Sequence, residues 1–152
     1  MKILITGIGG DIGFNLGKIL RCSQYSPYLI GSDIHKQLSG EDIFDEVIQL
    51  PSCKEERYFE SLSCYIRNNS IDIFIPASEP ELRYFSKNTE ERTELDCQLI
   101  AANTKSMKVG FDKYITSIFL KDNSIISPWT IPVEEQDSGP PELPCILKSR
   151  KG

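Results

Sequence analysis

Met1-Lys-Ile-Leu-Ile-Thr-Gly-Ile-Gly-Gly-Asp-Ile-Gly-Phe-Asn-Leu-Gly-Lys-Ile-Leu20 is the stretch that decides the fold of this 152-residue chain. Ile3, Leu4 and Ile5 form a short apolar run, the pattern of a parallel strand buried on both faces. Gly7, Gly9, Gly10 and Gly13 follow at once. Ile12, Leu16, Ile19 and Leu20 then fall at i, i+4, i+7 and i+8, which predicts a helix laying one apolar stripe back on a sheet. Strand, glycine turn and helix, in that order, open an alternating α/β domain.

The glycines admit two readings. A strand reverses into a helix within a few residues only where dihedrals are free and no Cβ blocks close approach. The helix start also presents N–H groups and a partial positive charge, a cradle for phosphate or carboxylate. Tight packing of helix on strand would require the same glycines with no ligand at all.

Working outward, Tyr28-Leu-Ile-Gly-Ser-Asp33 reads as a second strand ending in an acid roughly 20 residues beyond the glycines, where dinucleotide-binding domains hydrogen-bond a ribose. Asp33 would serve equally as a cap on a strand end or turn. The polar stretch from His35 to Asp45 suits a loop, and Glu46 to Pro51 a third strand stopped by proline. Glu55 to Asn69 is predicted helical, its buried stripe made by Tyr58, Phe59, Leu62, Tyr65 and Ile66. Ile71-Asp-Ile-Phe-Ile-Pro76 is the clearest interior strand. After it, Ser78 or Glu79 can cap a helix with Pro80 in its first turn, running to about Leu95 with a charged, solvated outer face. Cys97 to Ala101 completes about five strands.

That alternation predicts a Rossmann-like, doubly wound parallel sheet, which places ligands at the C-terminal ends of its strands. Gly7, Gly9, Gly10, Asp33, Ser78 and Glu79 are the candidates for the substrate or ligand side. From Lys105 the pattern changes to a short helix, then to Phe111, Tyr114, Ile115, Ile118 and Phe119 at i, i+3, i+4, i+7 and i+8, with Asp112 in the first turn. Pro128 to Val133 and Pro144 to Lys148 read as two further strands around a proline-rich loop from Asp137. The expected division is a domain over 1–110 and the start of another over 111–152.

Composition bounds the function. With 39% apolar and 26% charged residues the chain is an ordinary globular mixture, long enough to bury a core. A net charge of −5 argues against nucleic acid or an anionic membrane as partner. No apolar run approaches the roughly 20 residues of a membrane span, and the N-terminus lacks the pattern of a signal peptide, so a cytoplasmic protein is expected. Cys22, Cys53, Cys64, Cys97 and Cys145 contain no C-x-x-C pair and are odd in number, which fits neither a disulfide framework nor a zinc site. His35, the single histidine, falls in the expected loop.

Three blocks in order give the second half a specific resemblance. Ile75-Pro-Ala-Ser-Glu-Pro-Glu-Leu82 resembles the strand and turn by which the pre-ATP-grasp domain of ATP-grasp enzymes reaches its central helix. Asp112-Lys-Tyr-Ile-Thr-Ser-Ile-Phe-Leu-Lys-Asp-Asn-Ser-Ile-Ile-Ser-Pro-Trp-Thr130 resembles the family's D-K, helix, small loop and x-P-x-T passage. Leu143-Pro-Cys-Ile-Leu-Lys-Ser-Arg-Lys-Gly152 resembles the strand that enters its glycine-rich phosphate loop, with Ser149 where proline is common. The resemblance, to carboxylate–amine ligases that include carbamoyl-phosphate synthase large subunits, covers the whole chain. It implies ATP and Mg²⁺ as cofactors and small-molecule carboxylate and amine substrates, with Lys113 and Lys148 toward ATP. It gives this chain no catalytic residue and no metal ligand: the family's metal ligands and adenine pocket lie beyond Gly152, so the chain alone is expected to be inactive and to bind no cofactor tightly. A homodimer is a further expectation.

Two other classes remain open at this stage. Gly7, Gly10 and Gly13 also fit the T-G-x-x-G-x-x-G pattern of NAD(P)-dependent epimerases and short-chain reductases, whose Tyr-x-x-x-Lys pair is needed for proton transfer. None of Tyr25, Tyr28, Tyr58, Tyr65, Tyr84 or Tyr114 has a lysine four residues on. A non-catalytic small-molecule-binding module is the other.

Overall fold

A computed structural model describes residues 1–35, 42–135 and 139–151. Parts of the loops expected from His35 and from Asp137, and Gly152, lie outside the described residues. The chain divides into two compact units, Met1–Ala102 and Asn103–Gly152.

The first unit alternates as the sequence predicts: β1 (Lys2–Thr6), α1 (Asp11–Arg21), β2 (Tyr28–Asp33), β3 (Glu46–Gln49), α2 (Tyr58–Asn69), β4 (Ile73–Pro76), α3 (Glu79–Lys87), α4 (Thr89–Glu94) and β5 (Gln98–Leu99). All strands run parallel in the order β3-β2-β1-β4-β5. The chain winds outward from β1 through β2 to β3, then returns to the other side of β1 for β4. This reversal opens a crevice at the C-terminal ends of β1 and β4, where ligands of such sheets bind. The helix expected to continue to Leu95 is broken at Asn88, which caps the end of α3 and the start of α4.

Helices cover both faces of the sheet. On one, Leu4, Ile30 and Phe74 pack with Tyr58, Leu62 and Ile66 of α2 and Phe85 of α3. On the other, Ile3, Ile5 and Leu29 pack with Phe44, and Leu16 and Leu20 of α1 join them. The predicted stripe of α1 needs correction, because Ile12 and Ile19 are 72% and 68% exposed. Leu16 and Leu20 pack as expected, while Gly13 and Gly17, both buried, bring the helix against the Gly7–Ile8 turn and the Phe44 ring. A Cβ on Gly13 would stand 2.5 Å from the Gly7 carbonyl oxygen, so the missing side chain sets the helix-to-turn distance.

The second unit contains α5 (Thr104–Gly110), α6 (Lys113–Asp122) and a 3₁₀ turn, Val133–Glu135. Helix α5 packs on α6. Asn103 and Asp112 cap the two helices through their side chains. The strands expected over 128–133 and 144–148 do not form; among the described residues the unit's β-pairing is one antiparallel bridge, Asp112 to Lys151. A strand needs a neighbour to take its backbone hydrogen bonds, and these stretches have none among the described residues. Among the described residues no helix is long and apolar enough to cross a membrane.

Candidate functional site

The Gly7–Gly10 turn begins where β1 ends. Gly7 adopts φ +68°, a left-handed conformation, and a Cβ there would meet Ser78 Cβ at 3.2 Å. The Gly10 amide donates to the Gly7 carbonyl at 3.1 Å, closing the turn. Gly10 is also the N-cap of α1, where it offers no side-chain acceptor to the first-turn amides. Asp33, at the end of β2, ties the turn down: its Oδ2 accepts from the Gly9 amide at 2.9 Å and its Oδ1 from the His35 amide at 3.3 Å.

Across the crevice, Ser78 caps α3 and stands three residues before Glu81, the spacing of a capping box. Glu81 is 8% exposed and serves a larger network than a cap. Its Oε2 accepts from the Thr6 hydroxyl at 2.7 Å and the Ser78 hydroxyl at 2.6 Å, and its Oε1 from the Tyr58 hydroxyl at 2.8 Å. Three hydroxyl donors from β1, α2 and the start of α3 thus offset the cost of burying one carboxylate. Burial, and after it the charge of Glu81, pushes the Tyr58 phenol far up, so it remains a donor. Desolvation, again with Glu81 second, also pushes the Cys53 thiol up, which disfavours a thiolate nucleophile.

These residues surround a cleft of about 560 Å³ above the C-terminal ends of β1, β2 and β4. Gly7, Gly10, Asp33 and Ser78 all line it, so four of the six ligand-side candidates come together there. Gly9 instead gives its amide to Asp33. Glu79 is engaged by Arg83 one helical turn on, at 2.7 Å from Nε. Among the described residues the cleft's charged lining is Asp11, Asp33 and Glu81 against Lys54. Ser32 also lines it, and its hydroxyl, on a residue 1% exposed, has no hydrogen-bond partner among the described residues.

Sequence reasoning missed Glu81, Thr6 and Ser32. The S-x-x-E spacing from Ser78 was the available signal for Glu81; Thr6 and Ser32 carried none until strand register set them side by side. Tyr58 was read as core packing, and it is buried, but its hydroxyl also belongs to the site.

In the second unit, Lys113 is the first residue of α6 and is exposed, its amide donating to the Arg150 carbonyl at 3.1 Å. Lys148 is exposed in irregular chain, not at a strand end. Among the described residues no group of three or more His, Cys, Asp or Glu assembles as a metal site, and the five cysteines are free thiols.

The fold is shared with several enzymes. Glycinamide-RNase-transformylase T from Mycobacterium tuberculosis superposes with a TM-score of 0.55 at 13% identity, over 81% of this chain and 35% of its own. The biotin carboxylase domain of a single-chain bacterial carboxylase gives 0.51 at 8% identity, over 89% and 33%. Both are ATP-grasp family enzymes, and this chain spans about a third of the length of each. A monomeric L-threonine 3-dehydrogenase from a metagenome gives 0.50 at 15% identity, over 81% and 50%, so the fold by itself does not separate the two classes. No curated protein sequence matches significantly. The sequence itself does separate them: residues 3–100 match the PylC-like N-terminal domain, and the chain belongs to that pre-ATP-grasp family.

Proposed function

We propose that this chain is the N-terminal portion of an ATP-grasp ligase that activates a carboxylate as an acyl phosphate and joins it to an amine or similar nucleophile. In that reaction the carboxylate oxygen attacks the γ-phosphorus of ATP and ADP leaves. The amine then displaces phosphate to give the amide. The observation that carries the reading is the cleft at the strand-order reversal of a PylC-like N-terminal domain, where Gly7, Ser78 and Glu81 converge. Of the described acidic lining residues, Asp11 suits the amine of a substrate, since Asp33 and Glu81 already accept hydrogen bonds from within the chain.

The exposed ammonium groups of Lys113 and Lys148 suit the charge of a triphosphate, and we assign them to the ATP side. ATP would supply the phosphoryl group. Mg²⁺, which such a transfer needs, finds no ligand set among the described residues. The reading places the protein in the cytoplasm, with small-molecule partners and neither nucleic acid nor membrane.

The test is ADP and phosphate release by the full-length protein with Mg-ATP and a panel of amino acids. Release should require both a carboxylate and an amine. Lys148→Ala should weaken ATP binding or turnover by about 1.5–3 kcal/mol, the scale of a charge-assisted hydrogen bond, with little loss of stability. Sub-micromolar NAD binding without ADP formation would sink the assignment.

A further inference from the structure

Residues 139–149 are exposed, and the segment is fastened to α6 at Arg150 and Lys151. Arg150 Nε lies 2.9 Å from both Asp112 carboxylate oxygens. Its guanidinium carbon stands 5.2 Å from the Tyr114 ring centre, and its carbonyl accepts the Lys113 amide at 3.1 Å. Lys151 pairs with Asp112 through the backbone bridge, and the Ser149 hydroxyl donates to the Lys151 carbonyl. Asp112 is 7% exposed and does two jobs, since Oδ1 also accepts the Tyr114 and Ile115 amides at 3.1 and 3.2 Å. One carboxylate therefore caps the helix that begins with Lys113 and grips the chain two residues beyond Lys148. Two residues of extended chain span at most about 7 Å, so the clasp holds the backbone of Lys148 near the start of α6.

From this geometry we propose that the Asp112–Arg150 ion pair is a positioning device: it fixes the otherwise exposed segment so that Lys148 and Lys113 address the same polyphosphate. The proposal rests on the assignment of these two lysines to ATP. In this proposal Arg150 acts through Lys148: its Nε is held by both Asp112 oxygens and its guanidinium lies over the Tyr114 ring.

The experiment compares Mg-ATP affinity and steady-state kinetics of the full-length protein with those of Lys148→Ala, Arg150→Gln, the double variant and Asp112→Asn. Asparagine caps a helix about as well as aspartate, so Asp112→Asn removes the ion pair and spares the helix start; unchanged thermal stability checks this. Arg150→Gln should weaken Mg-ATP about tenfold and raise KM for ATP while leaving kcat at saturating ATP within about twofold. Asp112→Asn should weaken binding in the same direction. The double variant should bind no worse than about the weaker single variant, because a misplaced Lys148 is already lost. Wild-type affinity in Arg150→Gln, tighter binding in Asp112→Asn, or fully additive losses in the double variant would each overturn the proposal. Failure of the unaltered protein to bind Mg-ATP would remove the underlying assignment instead, and is recognised because every variant is then equally silent.

Discussion

In the first unit Tyr58, Leu62 and Ile66 are spaced by helical turns along α2 and are 1%, 0% and 1% exposed. In the second, Ile115, Ile118 and Phe119 also fall at helical spacing, along α6, and are 38%, 38% and 45% exposed. Periodicity states which face of a helix is apolar; whether that face leaves water depends on what the chain provides to cover it. Helix α2 has a five-stranded sheet beneath it, while the stretches of the second unit expected to pair as strands remain irregular and largely exposed.

Core truncation breaks or sustains this contrast most directly. Leu62→Ala should cost the first unit about 2–5 kcal/mol, the range for a leucine removed from a close-packed interior. Phe119→Ala should shift the stability of the second unit by no more than about 0.5 kcal/mol. Denaturant unfolding of each variant, followed by amide exchange so that the two units report separately, gives both numbers. A large effect at Phe119 would mean that α6 is covered in solution.

Glycines sharpen the same contrast. Gly13→Ala sets a methyl against the Gly7 carbonyl oxygen and should destabilise by about 1–3 kcal/mol. Gly110→Ala, in α5, meets nothing within 4 Å and should stabilise by up to about 1 kcal/mol through helix propensity. Opposite signs in thermal melts are the expected outcome.

These contrasts also show what could be read from sequence. The β1 run, the acid-ended β2, the stripe of α2 and the cap at Ser78 were legible because each depends on neighbours a few residues away, whereas Asp112, expected in the first turn of its helix, is instead the N-cap. On α1 Leu16 and Leu20 pack as read, but Ile12 and Ile19 do not, because the glycine positions that make the closest approach carry no hydrophobic signal. Glu81 was passed over because its partners Thr6 and Tyr58 lie 75 and 23 residues away and meet it only once β1, α2 and α3 converge. The missing strands of the second unit were indistinguishable from real ones, since strand propensity reports fitness for a sheet and not the presence of one.

The smallest effect concerns pH. In the first unit the Arg21 guanidinium, 2.8 Å away, holds the Asp45 carboxyl below its usual 3.8, helped by the Leu29 amide. A depressed carboxyl contributes stability that is complete above 3.8 and is lost as pH falls through its lower folded value. Asp45→Asn should therefore flatten the acid limb of the first unit's stability curve below about pH 4 and leave the neutral region's slope unchanged. An acid limb identical in the two proteins would show that this pair, 37% and 31% exposed, is too solvated to matter.

The two outer strands of the sheet carry a further consequence, for behaviour in concentrated solution. Strand β3 has four residues, with Glu46 at its start and Pro51 just past its end, and β5 has two. An unpaired edge recruits foreign strands in proportion to the length of open backbone it offers, and these offer little. The first unit is thereby guarded against edge-to-edge aggregation by the shortness of both outer strands, with Glu46 and Pro51 bounding the longer one.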